Sequence, residues 1–262
     1  MHVIVTGGSS GIGLEVARLY VRNGASVSII ARDERRLMAA CRDLEASAAG
    51  AAGRVGSATA DVGVEQDISA AIAARESEFG ACDILVASAG VVEPAPFDGQ
   101  GAAMFAAQIE TNLFGTINSV RAVYSGMKER RSGTVMIISS GAALIGIHGY
   151  SAYCASKSAL IGFAEALRME AMPVGVGISL CFPPDTLTPQ FEQELPKRSP
   201  QARRLMGAAP AWRADAVAAK IVRAIERRRA KTYFGFSLTA LGWFGPLIKP
   251  VLFWWSARTP AR

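Results

Sequence analysis

The sequence predicts an α/β protein, a doubly wound parallel sheet with a C-terminal apolar extension, on three observations. Short apolar runs without period-two polarity alternate with longer helical patterns, the mark of strands covered by helices on both faces. A glycine-rich turn joins the first apolar run to the first helical one, as a phosphate-cradling strand–turn–helix unit requires. Tyr233–Ile248, an uncharged, aromatic-containing run followed by a second apolar piece, fits neither pattern and stands apart as a tail.

At 262 residues the chain can bury a full core, and one domain is expected over residues 1–230 with a tail over 231–262. The net charge of +6 and pI near 9.4 suit anionic small molecules or an acidic membrane surface. The arginines are spread along helices without a nucleic-acid motif, so no nucleic-acid partner is expected. Four scattered cysteines, no C-x-x-C and two histidines argue against a zinc site or a disulfide scaffold, and no metal is expected. No secretory signal precedes the first strand, so reduced, cytosol-facing thiols are expected.

In chain order, His2–Val5 reads as a strand, followed by Thr6-Gly7-Gly8-Ser9-Ser10-Gly11-Ile12-Gly13 and a helix. The glycines let the backbone turn tightly and approach a pyrophosphate, whose charge meets the helix N-terminus. Their spacing is G-x-x-x-G-x-G, not G-x-G-x-x-G; a plain loop with capping serines is the alternative. Ser26–Ala31 reads as the second strand, ending on Arg32 where an acidic residue would suit NAD. A guanidinium there suits a 2′-phosphate, with Ser9 adding a hydroxyl, so NADPH is expected. Arg32 also reads as a solvated charge at the start of helix Glu34–Glu45, with Asp33 as N-cap. Strand Arg54–Ala60 leads to Asp61-Val62, and helix Val64–Phe79 leads to strand Asp83–Ala87. The turn Ser88-Ala89-Gly90 is small enough for the adenosine half of a dinucleotide. A long helix, Gly101 to Arg130, carries Asn112, which reads as a packing residue or as the end of a water relay to Lys157. Strands Thr134–Ser139 and Val174–Cys181 flank helix Ser151–Met172.

The chemistry is expected between Ser140 and Lys157. Tyr153 and Lys157, four apart on a helix, share a face. A nearby ammonium favours phenolate and is expected to lower the tyrosine pKa towards neutrality. Ser140, ending a buried strand, would offer its hydroxyl to the same carbonyl oxygen. Tyr150 lacks a lysine four residues on and reads as pocket lining, and His148 is given no chemistry.

These residues resemble the short-chain dehydrogenase/reductase family over about Met1 to Ile225, through Thr6–Gly13, Asp61-Val62, Ser88-Ala89-Gly90, Asn112, Ser140, Tyr153-x-x-x-Lys157, and Pro183 with Thr188. The resemblance implies a Rossmann fold, an Asn112–Ser140–Tyr153–Lys157 tetrad, and hydride exchange between a nicotinamide and a carbonyl or alcohol. In that scheme Ser140 orients the carbonyl, Tyr153 donates the proton, and Lys157 holds the ribose. Thr188 and the backbone near Thr186 hold the carboxamide. The family's Asn-Asn-Ala-Gly is Ala87-Ser-Ala-Gly90 here, and its Pro-Gly is Pro183-Pro184. More narrowly, Gly149–Lys157 and Pro183-Pro-Asp-Thr-Leu-Thr-Pro189 resemble the 3-ketodihydrosphingosine reductase branch, which implies a long-chain keto-lipid substrate. The branch's eukaryotic N-terminal apolar anchor is not seen, so anchoring is expected of the tail.

Leu187–Ala211 reads as short helices or a mobile flap, with Leu187, Phe191, Leu195, Leu205 and Met206 either lining a lipid channel or packing on the core. Asp215–Arg229 reads as an amphipathic helix with a basic end. The apolar tail, interrupted by glycines, prolines and Lys249, suits interfacial embedding on the cytoplasmic side of a membrane better than a span. Its basic lead-in would meet anionic headgroups, and a subunit interface is the alternative. A homodimer or homotetramer is expected. Other readings are a reductase of β-ketoacyl thioesters or steroids, and a non-catalytic, membrane-bound nucleotide sensor.

Overall fold

The computed structural model describes residues 1–48, 50, 52–207 and 210–257. Its first half alternates β1 (His2–Thr6), α1 (Gly11–Arg22), β2 (Ser26–Ala31), α2 (Glu34–Ala48), β3 (Val55–Thr59), α3 (Glu65–Phe79) and β4 (Ile84–Ala87). There follow α4 (Ala102–Ile109), a π turn over Glu110–Phe114, α5 (Gly115–Glu129), β5 (Gly133–Ile138), α6 (Ser151–Ala171) and β6 (Val176–Phe182). The chain then forms β7 (Thr186–Leu187), α7 (Pro189–Glu194), α8 (Pro200–Met206), β8 (Trp212–Arg213), α9 (Ala214–Glu226), β9 (Lys231–Tyr233) and α10 (Gly235–Ala257). Part of the Ala/Gly-rich loop near residue 50, residues 208 and 209 of the expected flap and the last residues of the tail lie outside the described residues.

Seven strands form one sheet in the order β3-β2-β1-β4-β5-β6-β9, every pair parallel. Alternation along a strand explains why the central strands read as mostly apolar. Val3 and Val5 of β1 pack on one side with α1, α2 and α9; Ile4, between them, packs on the other with α3, α5 and α6. Both faces of the central strands are covered by helices, so the few polar positions, buried Ser28 and Ser179 among them, give no period of two. The strand order reverses between β1 and β4, and the crevice at their carboxyl ends is where such sheets take ligands.

Two elements depart from the sequence expectation. The long helix from 102 to 129 is interrupted by the π turn, where one extra residue per turn rotates Asn112 towards the neighbouring loop. Gly115 follows immediately, and a Cβ there would lie 2.4 Å from the Val62 side chain, so the helix rests directly on the turn after β3. The sheet also takes in Lys231–Tyr233, which the sequence reading assigns to the tail. A three-residue edge strand is too short to leave a periodic signal.

Candidate active site

Gly7, at φ 68°, is the pivot of the crevice: a Cβ there would lie 2.8 Å from the backbone of Ala89 on the loop after β4. Only glycine lets the two loops touch. Gly13 does the same inside α1, where a Cβ would meet the Gly7 carbonyl oxygen at 2.6 Å. The start of α1 is left open. Its N-cap Ser10 makes no side-chain capping bond, and no acidic residue stands in the first turn. The free N–H groups at such a helix end suit a pyrophosphate.

A cavity of about 880 Å³ runs along these carboxyl ends. At one end it is lined by Gly7, Ser9, Ser10, Gly11, Ile12 and Arg32, with Val62, Ala89 and Gly90 further along. At the other end stand Ser140, Tyr153 and Lys157, with Pro183, Thr186 and Thr188 opposite. Of the remaining expected residues, Gly13 is packed inside α1, and Asp61 and Asn112 stand behind the wall. Asp61 accepts the Gly63 N–H at 2.9 Å and faces the Arg32 guanidinium at 3.7 Å. Arg32 is exposed, and Arg36, which sequence reasoning passed over, joins it on the cavity wall. Two guanidiniums there fit a 2′-phosphate.

Asn112 is fully buried and fastens the loop after β4. Its Oδ1 accepts the Val91 N–H at 2.7 Å, while its Nδ2 donates to the Val91 carbonyl at 2.9 Å and to Ser156 Oγ at 3.0 Å. Ser156 in turn donates to the Tyr153 carbonyl at 2.8 Å, and Ser139 donates to the Lys157 carbonyl at 2.9 Å. The first turns of α6 are thereby tied to two neighbouring elements. Neither Ser139 nor Ser156 carried a sequence signal beyond standing next to Ser140 and Lys157. Ser140 accepts the Ala142 N–H at 3.1 Å, which caps a short 3₁₀ turn and fixes its side chain.

The electrostatics correct one expectation. Lys157 is buried, donates to the Ile138 carbonyl at 3.0 Å, and sits 5.9 Å from the centre of the Tyr153 ring. Burial pushes its pKa down to about 8. Tyr153 is not lowered towards neutrality. Burial raises it well above its ordinary value, the Ser140 hydroxyl opposes the shift, and the carboxylates of Glu194 and Asp185 add to it. Desolvation of the phenol outweighs the effect of an amine whose hydrogen bond goes to the Ile138 carbonyl. At neutral pH Tyr153 therefore keeps its phenolic proton.

The flap is two short helices, each with a legible start. Thr188 caps α7 and Ser199 caps α8, each followed by proline. Between them Arg198, 5% exposed, donates to both oxygens of Asp185 (2.5 and 2.8 Å) and to Glu194 Oε1 (2.9 and 2.7 Å). Tyr150 donates to the same Oε1 at 2.6 Å. Tyr150 is thus buried beneath the flap rather than lining the cavity. His148 is exposed, with Nδ1 3.0 Å from Ser199 Oγ. Of the expected channel residues, Phe191, Leu205 and Met206 face the cavity, whereas Leu187 and Leu195 are exposed elsewhere.

Helix α10 closes the cavity's far side with Leu238, Leu241 and Leu252. It is kinked at Phe244 and carries Pro246 and Pro250 inside. Much of its outer face is bare, Trp243 at 72% and Leu247 at 75% exposure among them. Gly235–Ser256 is long and apolar enough to cross a membrane, by length and composition.

With this geometry in hand, the family follows from the sequence match: residues 1–199 fit the family described as short chain dehydrogenase. The chain belongs to that family. Among its short-chain dehydrogenase relatives, a 3-dehydrosphinganine reductase of Danio rerio is 39% identical over 194 residues, 74% of this chain and 58% of the relative. A 3-ketodihydrosphingosine reductase of Bos taurus is 35% identical over 223 residues, 85% of this chain and 67% of the relative. The chain therefore spans 58 to 67% of the length of these two curated relatives. Levodione reductase shares the fold at a TM-score of 0.82 and 24% identity, over 88% of this chain and 94% of that one. Actinorhodin polyketide ketoreductase, solved with NADPH, matches at a TM-score of 0.80 and 26% identity, over 88% and 94%. Within this short-chain dehydrogenase, the Asp185–Arg198–Glu194 cluster is the part of the site that sequence reasoning missed. Asp185 stands in a quoted motif without a role, and neither Glu194 nor Arg198 is singled out in the sequence.

Proposed function

We propose that this protein uses NADPH to reduce the 3-keto group of 3-ketodihydrosphingosine to dihydrosphingosine, working from the cytoplasmic side of a membrane as a homodimer or homotetramer. The observation that carries the reading is the Asp185–Arg198–Glu194 cluster. Two carboxylates share one guanidinium, leaving a net negative charge, and both carboxylates line the cavity that holds Tyr153. The proposed substrate carries an ammonium on the carbon next to its ketone, and a carboxylate beside the proton donor is its natural partner. Apolar walls from Phe191, Leu205, Met206 and α10 suit the alkyl chain. The names of the two curated relatives point the same way.

A bound reduced nicotinamide supplies the hydride. The rest is done by this chain. The open end of α1 takes the pyrophosphate, and Arg32, Arg36 and Ser9 meet the 2′-phosphate. Thr186 and Thr188 hold the carboxamide. Ser140 Oγ donates to the ketone oxygen, and Tyr153 Oη gives its proton as that oxygen becomes an alkoxide. Lys157 would hold the ribose, and its ammonium would stabilise the phenolate and return its proton, itself reprotonated from solvent. Asn112 holds the loop after β4 at the right height.

The test is NADPH consumption by the purified protein with detergent, across 3-ketodihydrosphingosine, a β-ketoacyl thioester and a steroid ketone. Turnover of the amino ketone well above the other two is expected. Absence of turnover with it, or preference for the thioester, overturns the reading. Glu194→Gln keeps the volume and the contacts of Oε1 but removes the charge. It is expected to raise KM for the amino ketone about tenfold, leaving a ketone without the amine unchanged.

A further inference from the structure

A second cavity, of about 640 Å³, lies at the β9 edge of the sheet, between α6, α9 and the first half of α10. It shares no lining residue with the candidate active site. Its walls carry Arg168, Lys220, Arg229 and Lys231. Among the described residues one carboxylate answers them: Glu165 accepts from Lys231 at 2.5 Å. Arg168 is held by two backbone carbonyls, Ile178 at 3.0 Å and Ala230 at 2.7 Å, which fix the guanidinium without neutralising it. The Lys220 ammonium lies 4.9 Å from the centre of the Phe234 ring. The Arg229 side chain has no hydrogen-bond or ion-pair partner among the described residues. Arg228 beside it, at φ 45°, is an arginine in a left-handed conformation that glycine would adopt more cheaply.

A second, independent observation points to a ligand. Thr232 lines the same cavity and is 3% exposed, and its hydroxyl is one of three buried side-chain atoms without a hydrogen-bond partner among the described residues. A buried donor left unpaired beside unneutralised cations fits an anionic acceptor. Trp243, at the rim, is 72% exposed and continues into the bare face of α10 with Leu247 and Val251. An indole at that place marks headgroup depth.

We infer that this cavity binds the phosphate group of an anionic phospholipid while α10 enters the bilayer beside it. The inference rests on the membrane reading above but not on the reductase reading. Phosphate could also come from solution, and the experiment separates the two sources. Full-length protein is cosedimented with phosphatidylcholine vesicles, with and without phosphatidic acid, and separately titrated with inorganic phosphate by thermal shift. Phosphatidic acid is expected to strengthen vesicle binding. Arg229→Gln and Lys220→Gln are each expected to weaken that gain about fivefold, an effect screened by salt. Arg42→Gln, an exposed cation on α2 with the same change in net charge, serves as control and leaves most of it. Thr232→Val, which changes no charge, is expected to raise Tm without lipid yet reduce the phosphatidic-acid gain.

Equal binding to both vesicles overturns the site and leaves the membrane reading standing. No vesicle binding at all overturns both. A loss as large in Arg42→Gln as in Arg229→Gln overturns it in favour of diffuse charge. Stabilisation of wild type but not Arg229→Gln by inorganic phosphate, without vesicle preference, replaces the lipid with free phosphate.

Discussion

Tyr153 and Lys157 show how burial sets protonation at the scale of single residues. Tyr153→Phe keeps ring and packing but removes the proton donor, so turnover is expected to fall at least a thousandfold while NADPH binding, followed by fluorescence, is retained. Lys157 carries a stability signature. Its folded pKa of about 8 lies below the ordinary 10.5, so the folded state sheds the proton first. Below pH 8 folded and unfolded chains are both charged, and the burial penalty acts in full. From pH 8 to 10.5 the unfolded chain binds more protons, so stability rises with pH and then levels. Lys157→Met is therefore expected to be more stable than wild type at pH 7 by about 2 kcal/mol, allowing for the Ile138 carbonyl left without its donor. Denaturant titrations should show that gain vanishing above pH 10.5. A gain independent of pH would mean that the lysine is not buried in its charged form.

At the scale of elements, the flap and the π turn are held by polar groups rather than by apolar packing. Arg198, its guanidinium 2% exposed between Asp185 and Glu194, is the pin. Arg198→Met leaves two carboxylates facing each other, and about 3 kcal/mol of local stability is expected to be lost. Hydrogen exchange should speed up across residues 186–206 while the sheet stays protected. Uniform loss of protection would make the cluster part of the global core instead. Asn112→Ala strands the N–H and carbonyl of Val91 and is expected to cost about 3 kcal/mol, read as a shift in denaturant midpoint.

For the whole molecule, the question is what α10 does to the cavity. Leu238 packs against both faces of the sheet core, and Leu241 and Leu252 wall the active-site cavity, so the helix is part of the site and not an appendage. Leu241→Ala with Leu252→Ala is expected to blunt discrimination between long and short alkyl ketones about tenfold in kcat/KM, leaving NADPH binding intact. Unchanged chain-length preference would place the lipid elsewhere.

Much of this was legible in the chain. The strand–turn–helix glycines, the mostly apolar strands and the proline-after-Thr188 and proline-after-Ser199 helix starts are local: each depends on backbone sterics or on a cap two or three residues away. Ser140, Tyr153 and Lys157 were legible for the same reason, being close in sequence or set by helical spacing. Tertiary structure alone decided three things. It put Glu194 and Asp185 near Tyr153, it part-buried the phenol so that its pKa rises, and it folded Lys231–Tyr233 into the sheet. Each depends on which distant segments exclude water from one another, and dielectric surroundings and edge pairing leave no periodic trace in a sequence.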